Sequence, residues 1–137
     1  MTTTETIKDL ISRKDALHRF LNIDTLVSQI AEEEQKTEAA DFWNDPKEAQ
    51  KVMKNIQTKK AWVNAFREVE SSCGDLQVLG EFFDSGDATE EEVIEQINIT
   101  QPLVEALELK NMLQGESDRF DAVLSINAGA GGVEAQD

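Results

Sequence analysis

Cysteine and histidine are almost absent from this chain of 137 residues, which has one of each, Cys73 and His18. A single cysteine cannot form an internal disulfide or a site of several thiolates. A single histidine without a second His or Cys nearby does not make a metal site. No Gly-x-Ser-x-Gly motif occurs, and no nucleophile–base pair stands out. We therefore expect no cofactor, no metal and no catalytic residue in this chain.

Long apolar runs are also missing from the sequence. Threonines at positions 2–4 and Glu5 precede any apolar run, so the first residues do not resemble a signal peptide. No stretch has the roughly 20 apolar residues that a membrane-spanning helix needs. The sequence therefore predicts a soluble, cytoplasmic protein without a membrane partner.

Basic residues are scarce: 13 Lys and Arg stand against 28 Asp and Glu, for a formal net charge of −15 at pH 7. A chain this acidic is repelled by nucleic-acid backbone, so independent nucleic-acid binding is not expected. The charges are also unevenly distributed. Residues 81–121 hold twelve acids against two bases, whereas residues 47–60 hold five lysines against one acid. We expect the negative surface to face water or a basic protein.

The sequence does contain apolar residues at helical spacing, in four segments. They predict helices over residues 5–21, from Asn22 to about 40, over 46–83 and over 90–113. The fold class is therefore mainly α: an antiparallel bundle of coiled-coil-like helices, in which the third and fourth pair and the first two pack against them. The predicted apolar stripes are Ile7, Leu10, Ile11, Leu17 and Leu21; Leu26, Val27, Ile30 and Ala31; Ala49, Val52, Met53, Ile56 and Val63; and Val93, Ile94, Ile97, Leu103, Val104, Leu107 and Met112.

Capping signals mark two of the helix starts. Asp45 followed by Pro46, with Glu48 three residues after the cap, predicts the start of the third helix. Thr89 and Glu92 make a capping box for the fourth helix. These signals separate the four helical segments from one another.

Other local features concern the joints between helices. Asn22 and Asp24 offer side chains that can cap the second helix. Phe42 and Trp43 precede the third helix and are interpreted as anchors in the core, with an exposed aromatic contact as the alternative. Pro102 removes a backbone donor within the fourth helix, which predicts a kink or, as the alternative, a break.

The pattern of apolar residues changes beyond Gly115. They alternate there, which predicts a β-strand over 120–126. A glycine-rich turn at 128–132 and the opening of a helix at 133–136 follow. A lone strand and one helical turn do not make a domain. We therefore expect a helical domain over residues 1–117 and the truncated start of a second domain over residues 118–137.

The glycine-rich turn could cradle a phosphate, because it lies between a predicted strand and a predicted helix. A dinucleotide-binding fingerprint would need a third glycine where Glu134 stands. A P-loop would need a lysine, and none follows Lys110. The interpretation we prefer is a tight turn that needs positive φ or close packing.

A basic stripe is predicted on the third helix. Lys47, Lys51 and Lys54 cluster opposite its apolar face, since each residue turns a helix by about 100°. The interpretation we prefer is an ordinary solvated face. The alternative is a contact with RNA or with an acidic partner.

The segment at 126–137 (INAGAGGVEAQD) closely resembles the signature that opens the second domain of bacterial class I peptide chain release factors. The segments LKNML at 109–113 and RFD at 119–121 fit the same family. The loop DFWNDPKEAQ at 41–50 resembles its release factor 2 branch rather than its release factor 1 branch. Pro102 departs from the unbroken helix expected of the family. The family-signature turn is carried by Gly129, Gly131, Gly132 and Glu134.

The resemblance implies the N-terminal fragment of a translation termination factor. Such factors read the stop codon with a Ser-Pro-Phe tripeptide and promote peptidyl-tRNA hydrolysis with a Gly-Gly-Gln motif, and the resemblance places both beyond Asp137. Gly131-Gly132 is followed by Val133, so it is not that catalytic motif. The chain itself is therefore expected to be an interaction domain and not an enzyme.

The resemblance also implies partners. In this family the N-terminal helical domain projects toward the factor-binding stalk base of the large ribosomal subunit. The same domain is implicated in the response to the GTPase that recycles these factors. The alternative function is a free-standing acidic helical adaptor or scaffold unrelated to termination, which explains the helices and the charge but not the glycine-rich end.

Overall fold

The computed structural model describes residues 1–123, and the side chains of residues 1–114. Within that part a short 3-10 helix, Phe42–Asn44, lies between the second and third of four α-helices. The mainly helical fold is thus confirmed, and no strand occurs in the described residues. The α-helices are α1 (Thr3–Phe20), α2 (Ile23–Thr37), α3 (Pro46–Asp84) and α4 (Glu90–Val123).

The chain divides into two compact units, residues 1–107 and residues 108–137. The helix contacts and the candidate surfaces all lie within the first unit. The predicted strand over 120–126 begins within α4, which continues to Val123. The rest of that segment and the glycine-rich turn with Gly129, Gly131, Gly132 and Glu134 lie outside the described residues. The predicted domain boundary after residue 117 stays a prediction.

Helix α1 begins with a capping box that the sequence analysis overlooked. The Glu5 backbone N–H donates to Thr2 Oγ1 at 3.1 Å, and the Thr2 backbone N–H donates to Glu5 Oε1 at 2.8 Å. The hydrogen bond from the Thr2 backbone is the main reason that the pKa of Glu5 is lowered. The helix therefore starts two residues before its predicted first residue.

The starts of α3 and α4 are confirmed. Asp45 caps α3, because its Oδ1 accepts the Glu48 backbone N–H at 3.3 Å, and a proline occupies the first helical turn. At the start of α4 the Thr89 backbone N–H donates to Glu92 Oε1 at 3.0 Å, and the Glu92 backbone N–H donates to Thr89 Oγ1 at 3.2 Å. Each cap satisfies backbone donors that the first helical turn leaves unpaired.

The junction of α1 and α2 is built differently from its prediction. Asn22 adopts φ 53° and ψ 50°, in the left-handed region, and its side chain makes no capping hydrogen bond. The prediction that Asn22 caps α2 through its side chain is wrong. Asparagine is among the non-glycine residues that enter this region most readily. Leu21 and Asn22 therefore suffice to separate the two helices.

Helices α3 and α4 form an antiparallel hairpin. The turn between them contains Gly86 at φ 85°, a conformation that favours glycine. Ser72 and Thr100 are equidistant along the chain from Gly86, and their hydroxyl oxygens lie 2.7 Å apart. The predicted antiparallel pairing is confirmed. Helix α4 also continues through Pro102 without a break, so that alternative is wrong.

Helix α1 runs antiparallel to the second half of α3. Near its start, Ile7 lies so close to Gly80 that an added Cβ would come within 2.9 Å of Ile7 Cδ1. Near its end, the rings of His18 and Phe66 pack edge to face, with centroids 5.4 Å apart. Gly80 thus allows α1 to approach α3 closely.

The main core lies between α1, α3, α4 and the first turn of α2. Cys73 is part of it and is 1% exposed, so it packs as a small buried hydrophobe. Burial is the main reason that the pKa of this thiol is raised. The members of this core are Ile7, Leu10, Leu17, Leu21, Ile23, Phe66, Val69, Cys73, Leu76, Val93, Ile97, Val104 and Leu107.

A smaller core joins α2 to the first half of α3. It consists of Ile30, Ile56 and Val63, with partly buried neighbours on both helices. The predicted stripe of α2 is partly wrong, because Val27 and Ala31 are exposed. The apolar contact lies nearer the start of α2 than predicted, since Ile23, the first residue of α2, already belongs to the main core.

Candidate interaction surfaces

Lys47, Lys51 and Lys54 form an exposed basic face on the first half of α3, which we call the lysine face. They fall within about 60° of the helix circumference. Ala49 and Ile56 are buried on the opposite side of the helix. Within the described residues these three lysines form no ion pair. Their predicted position is confirmed, whereas their predicted contact stays a prediction.

The other two lysines of the 47–60 segment are occupied by α2. Lys59 pairs with Glu33, and Lys60 Nζ lies 2.6 Å from Glu34 Oε2. The side chains of Glu33 and Lys59 are only 17% and 19% exposed. Two of the glutamates at 32–34 thus pair with α3 and are not simply solvated. Among the lysines of the 47–60 segment, the three of the lysine face are the ones that these pairs leave uncompensated.

Trp43 is exposed rather than anchored in the core. It retains 59% of its accessible surface, while Phe42 packs against it edge to face at 4.9 Å between ring centroids. The prediction that Trp43 is a core anchor is wrong, and the alternative of an exposed aromatic is confirmed. Two aromatic rings can pack against each other within a loop. The sequence pattern alone did not distinguish this arrangement from packing in the core.

The end of the α3–α4 hairpin is strongly acidic. No lysine or arginine occurs between Arg67 and Lys110. Eight carboxylates around the hairpin end are exposed, and within the described residues none lies within 4.0 Å of a basic group. Three of them lie in the first turn of α4, where the helix dipole favours negative charge. The eight, which we call the acidic end, are Asp75, Glu81, Asp84, Asp87, Glu90, Glu91, Glu92 and Glu95.

Exposed apolar side chains lie beside the acidic end on both helices, with Ile94 on α4 keeping 44% of its accessible surface. Val78 and Phe82, on α3, each retain 49% of their accessible surface. The signal that could have identified the pair is its spacing, because residues four apart share one helix face and this face is not the one that carries the core.

A small groove lies where α1, α2 and α3 meet. It is lined by His18, Asp24, Phe66, Arg67 and Glu70 among others and encloses about 280 Å³. His18 Nε2 lies 3.4 Å from Asp24 Oδ1 across the helix junction. Both acidic and basic side chains line the groove, so it favours neither an anion nor a cation. His18 lies at the edge of the core, against Phe66.

The described part of the chain offers no group of three or more His, Cys, Asp or Glu side chains that could hold a metal ion. Among the described helices, none has an apolar stretch long enough to cross a membrane. The surfaces that remain as candidates for function are therefore the lysine face, the exposed loop tryptophan and the acidic end with its apolar neighbours.

Comparison with known proteins points to one family. Residues 26–137 match the family described as the PCRF domain. Peptide chain release factor 2 of Colwellia psychrerythraea is 30% identical, with 96% of this chain and 36% of that protein covered. Peptide chain release factor 2 of a Nitratiruptor species is 32% identical, with 98% of this chain and 37% of that protein covered. The chain thus spans little more than a third of the length of these curated relatives.

Proposed function

This chain belongs to the PCRF domain family, and we propose that it acts as the N-terminal interaction domain of a translation termination factor. The observation that carries the proposal is similarity to peptide chain release factor 2 along nearly the whole chain. The alternative of an unrelated acidic adaptor or scaffold gains no support from these comparisons. The helical bundle, which lacks any grouped metal ligands in its described part, fits an interaction role.

The proposed activity of the complete factor is the one that the family resemblance implies. The factor reads stop codons on the ribosome and promotes hydrolysis of peptidyl-tRNA, in the cytoplasm. The parts responsible are the Ser-Pro-Phe and Gly-Gly-Gln motifs, neither of which occurs in these 137 residues. The chain by itself is accordingly proposed to have no catalytic activity.

The proposed partner is the ribosome, and more finely the stalk base of its large subunit. A second proposed partner is the GTPase that recycles such factors. The acidic end supports a contact with basic protein, because its carboxylates have no basic neighbour within the described residues. Complementary charge raises association rates and disfavours wrong partners.

The lysine face is proposed to contact ribosomal RNA or an acidic partner while the factor docks. Lys47, Lys51 and Lys54 are the only uncompensated lysines of their segment, because the two that follow pair with α2. A local positive face on a body of charge −15 orients the molecule without making it bind nucleic acid indiscriminately.

The test of this function compares two proteins in a peptide-release assay on ribosomes stopped at each stop codon. One is the product of the complete reading frame, which is expected to continue past Asp137 and encode both motifs. The other is the 137-residue chain. The complete product should release peptide at stop codons and the shorter chain at none. A complete product without stop-codon-dependent release, or a shorter chain with it, would contradict the proposal.

A further inference from the structure

Val78 and Phe82 form an exposed apolar pair on α3. They are four residues apart, so their side chains are neighbours on one helix face. Each keeps 49% of its accessible surface. Single exposed apolar residues are common on protein surfaces, but adjacent ones form a continuous patch that water covers at a free-energy cost.

The pair points away from the core of the bundle. Gly80 lies between the two residues in sequence and contacts Ile7 of α1. A step of two residues turns a helix by about 200°, so Val78 and Phe82 lie on the opposite side of α3 from Gly80. Leu76, which is fully buried, confirms which side carries the core. No helix of the first unit is therefore available to cover the pair.

Carboxylates border this apolar pair. Asp75 and Glu81 lie three residues before and after Val78, which makes them its neighbours on the helix surface, and both are exposed. The Asp87 backbone N–H donates to the Phe82 carbonyl oxygen at 2.7 Å, while its carboxylate accepts a hydrogen bond from Ser85 Oγ at 3.1 Å. An apolar centre with an acidic border is the arrangement that complements a basic, partly apolar surface.

Charge also distinguishes between the molecules that could bind over Val78 and Phe82. RNA is disfavoured, because its phosphates would meet the acidic end. A second copy of this chain would bring the same acidic border against the first, in a body of charge −15. An anionic membrane surface is repelled for the same reason. A protein segment rich in lysine or arginine has the complementary charge.

We infer that Val78 and Phe82 are the apolar centre of a docking site for a lysine- or arginine-rich segment of another protein. Apolar side chains of that segment cover the pair, while its basic groups bind Asp75 and Glu81. The inference adds the chemistry of a protein partner to the proposed function. It rests on that function, which supplies the setting in which the chain encounters the partner.

The test measures binding of an amphipathic peptide of lysine and leucine, about five helical turns long and labelled with fluorescein, to the 137-residue chain by fluorescence anisotropy. The double variant V78Q/F82Q should raise the Kd at least about tenfold, which is about 1.4 kcal/mol. The matched control is F20Q, because Phe20 is 67% exposed but lies on α1. The control should bind the peptide as the unchanged chain does.

A charge-neutralising variant provides the second readout. D75N/E81Q should weaken binding and also reduce its dependence on salt, because screening acts on the charged part of the contact. Circular dichroism should give the same melting temperature for all variants, since every substituted side chain is exposed.

Three results would overturn the inference: an unchanged Kd for V78Q/F82Q, an equal loss of affinity for F20Q, or self-association of the chain that V78Q/F82Q abolishes. Binding of poly(U) RNA that V78Q/F82Q weakens would likewise assign the site to a different occupant. The assay contains no ribosome, so its failure and the failure of the peptide-release assay are separate outcomes.

Discussion

The hydroxyl oxygens of Ser72 and Thr100 lie 2.7 Å apart in the buried interface between α3 and α4. Gln96 joins them, with its Nε2 at 3.3 Å from both Ser72 Oγ and Thr100 Oγ1. Buried polar groups are costly when unpaired, and a shift of one helix along the other would separate these three. The contact therefore favours one register of α4 along α3.

Replacing Thr100 by valine should destabilise the protein by about 1–3 kcal/mol, because the shape is kept while Ser72 and Gln96 lose a buried partner. The double variant S72A/T100V should cost less than the sum of the two single variants, since it removes both ends of the bond. Urea unfolding of the four proteins measures this coupling. Strictly additive costs would mean that the two hydroxyls do not stabilise each other.

Replacing Ile56 by alanine should lower the free energy of unfolding by about 2–4 kcal/mol, through lost burial and an unfilled cavity. Val63→Ala should act in the same direction, because both residues belong to the contact with α2. Ile99→Ala is the matched control: Ile99 is 53% exposed, whereas Ile56 is 3% exposed. Chemical denaturation should show little change for the control, and equal costs at both positions would contradict the assigned core.

Cys73 should make stability depend on alkaline pH. Burial raises the pKa of its thiol in the folded protein, so above the unfolded pKa of about 8.5 the folded state holds more protons than the unfolded state. Its contribution is fully present below that pH and is lost as pH rises. The urea midpoint should therefore fall more steeply between about pH 8 and 10 than in Cys73→Ala. Parallel pH profiles would contradict this assignment.

Reversing the lysine face should slow docking of the complete factor. The variant K47E/K51E/K54E is expected to associate with ribosomes more slowly, most clearly at low salt, where screening is weak. Stability should barely change, because the three side chains face away from the core. Stopped-flow association at several salt concentrations measures the effect. A variant as fast as the unchanged factor at every concentration would leave these lysines as ordinary surface.

The helices themselves were predictable because their signals are local. The caps at Asp45 and at Thr89 with Glu92 involve residues three apart, and apolar spacing repeats within a few turns. The position of the lysine face could be predicted for the same reason, since it depends only on the angle between residues of one helix. The left-handed Asn22 was missed because two local structures, a side-chain cap and a short joint with one left-handed residue, fit the same sequence.

The sequence by itself therefore determined the helices, their order and the face that each residue occupies. Only the tertiary structure determined which of those faces pack against another helix or form ion pairs with it. Lys59 and Lys54 are both lysines on α3, yet only Lys59 pairs with Glu33, because α2 lies on that side of the helix. Likewise, Phe66 is buried because it lies on a side of α3 that faces other helices, whereas Phe82 is half exposed because it lies on the side that does not. Neighbouring helices are contributed by distant parts of the chain, and their positions follow from packing of the whole core rather than from any local pattern.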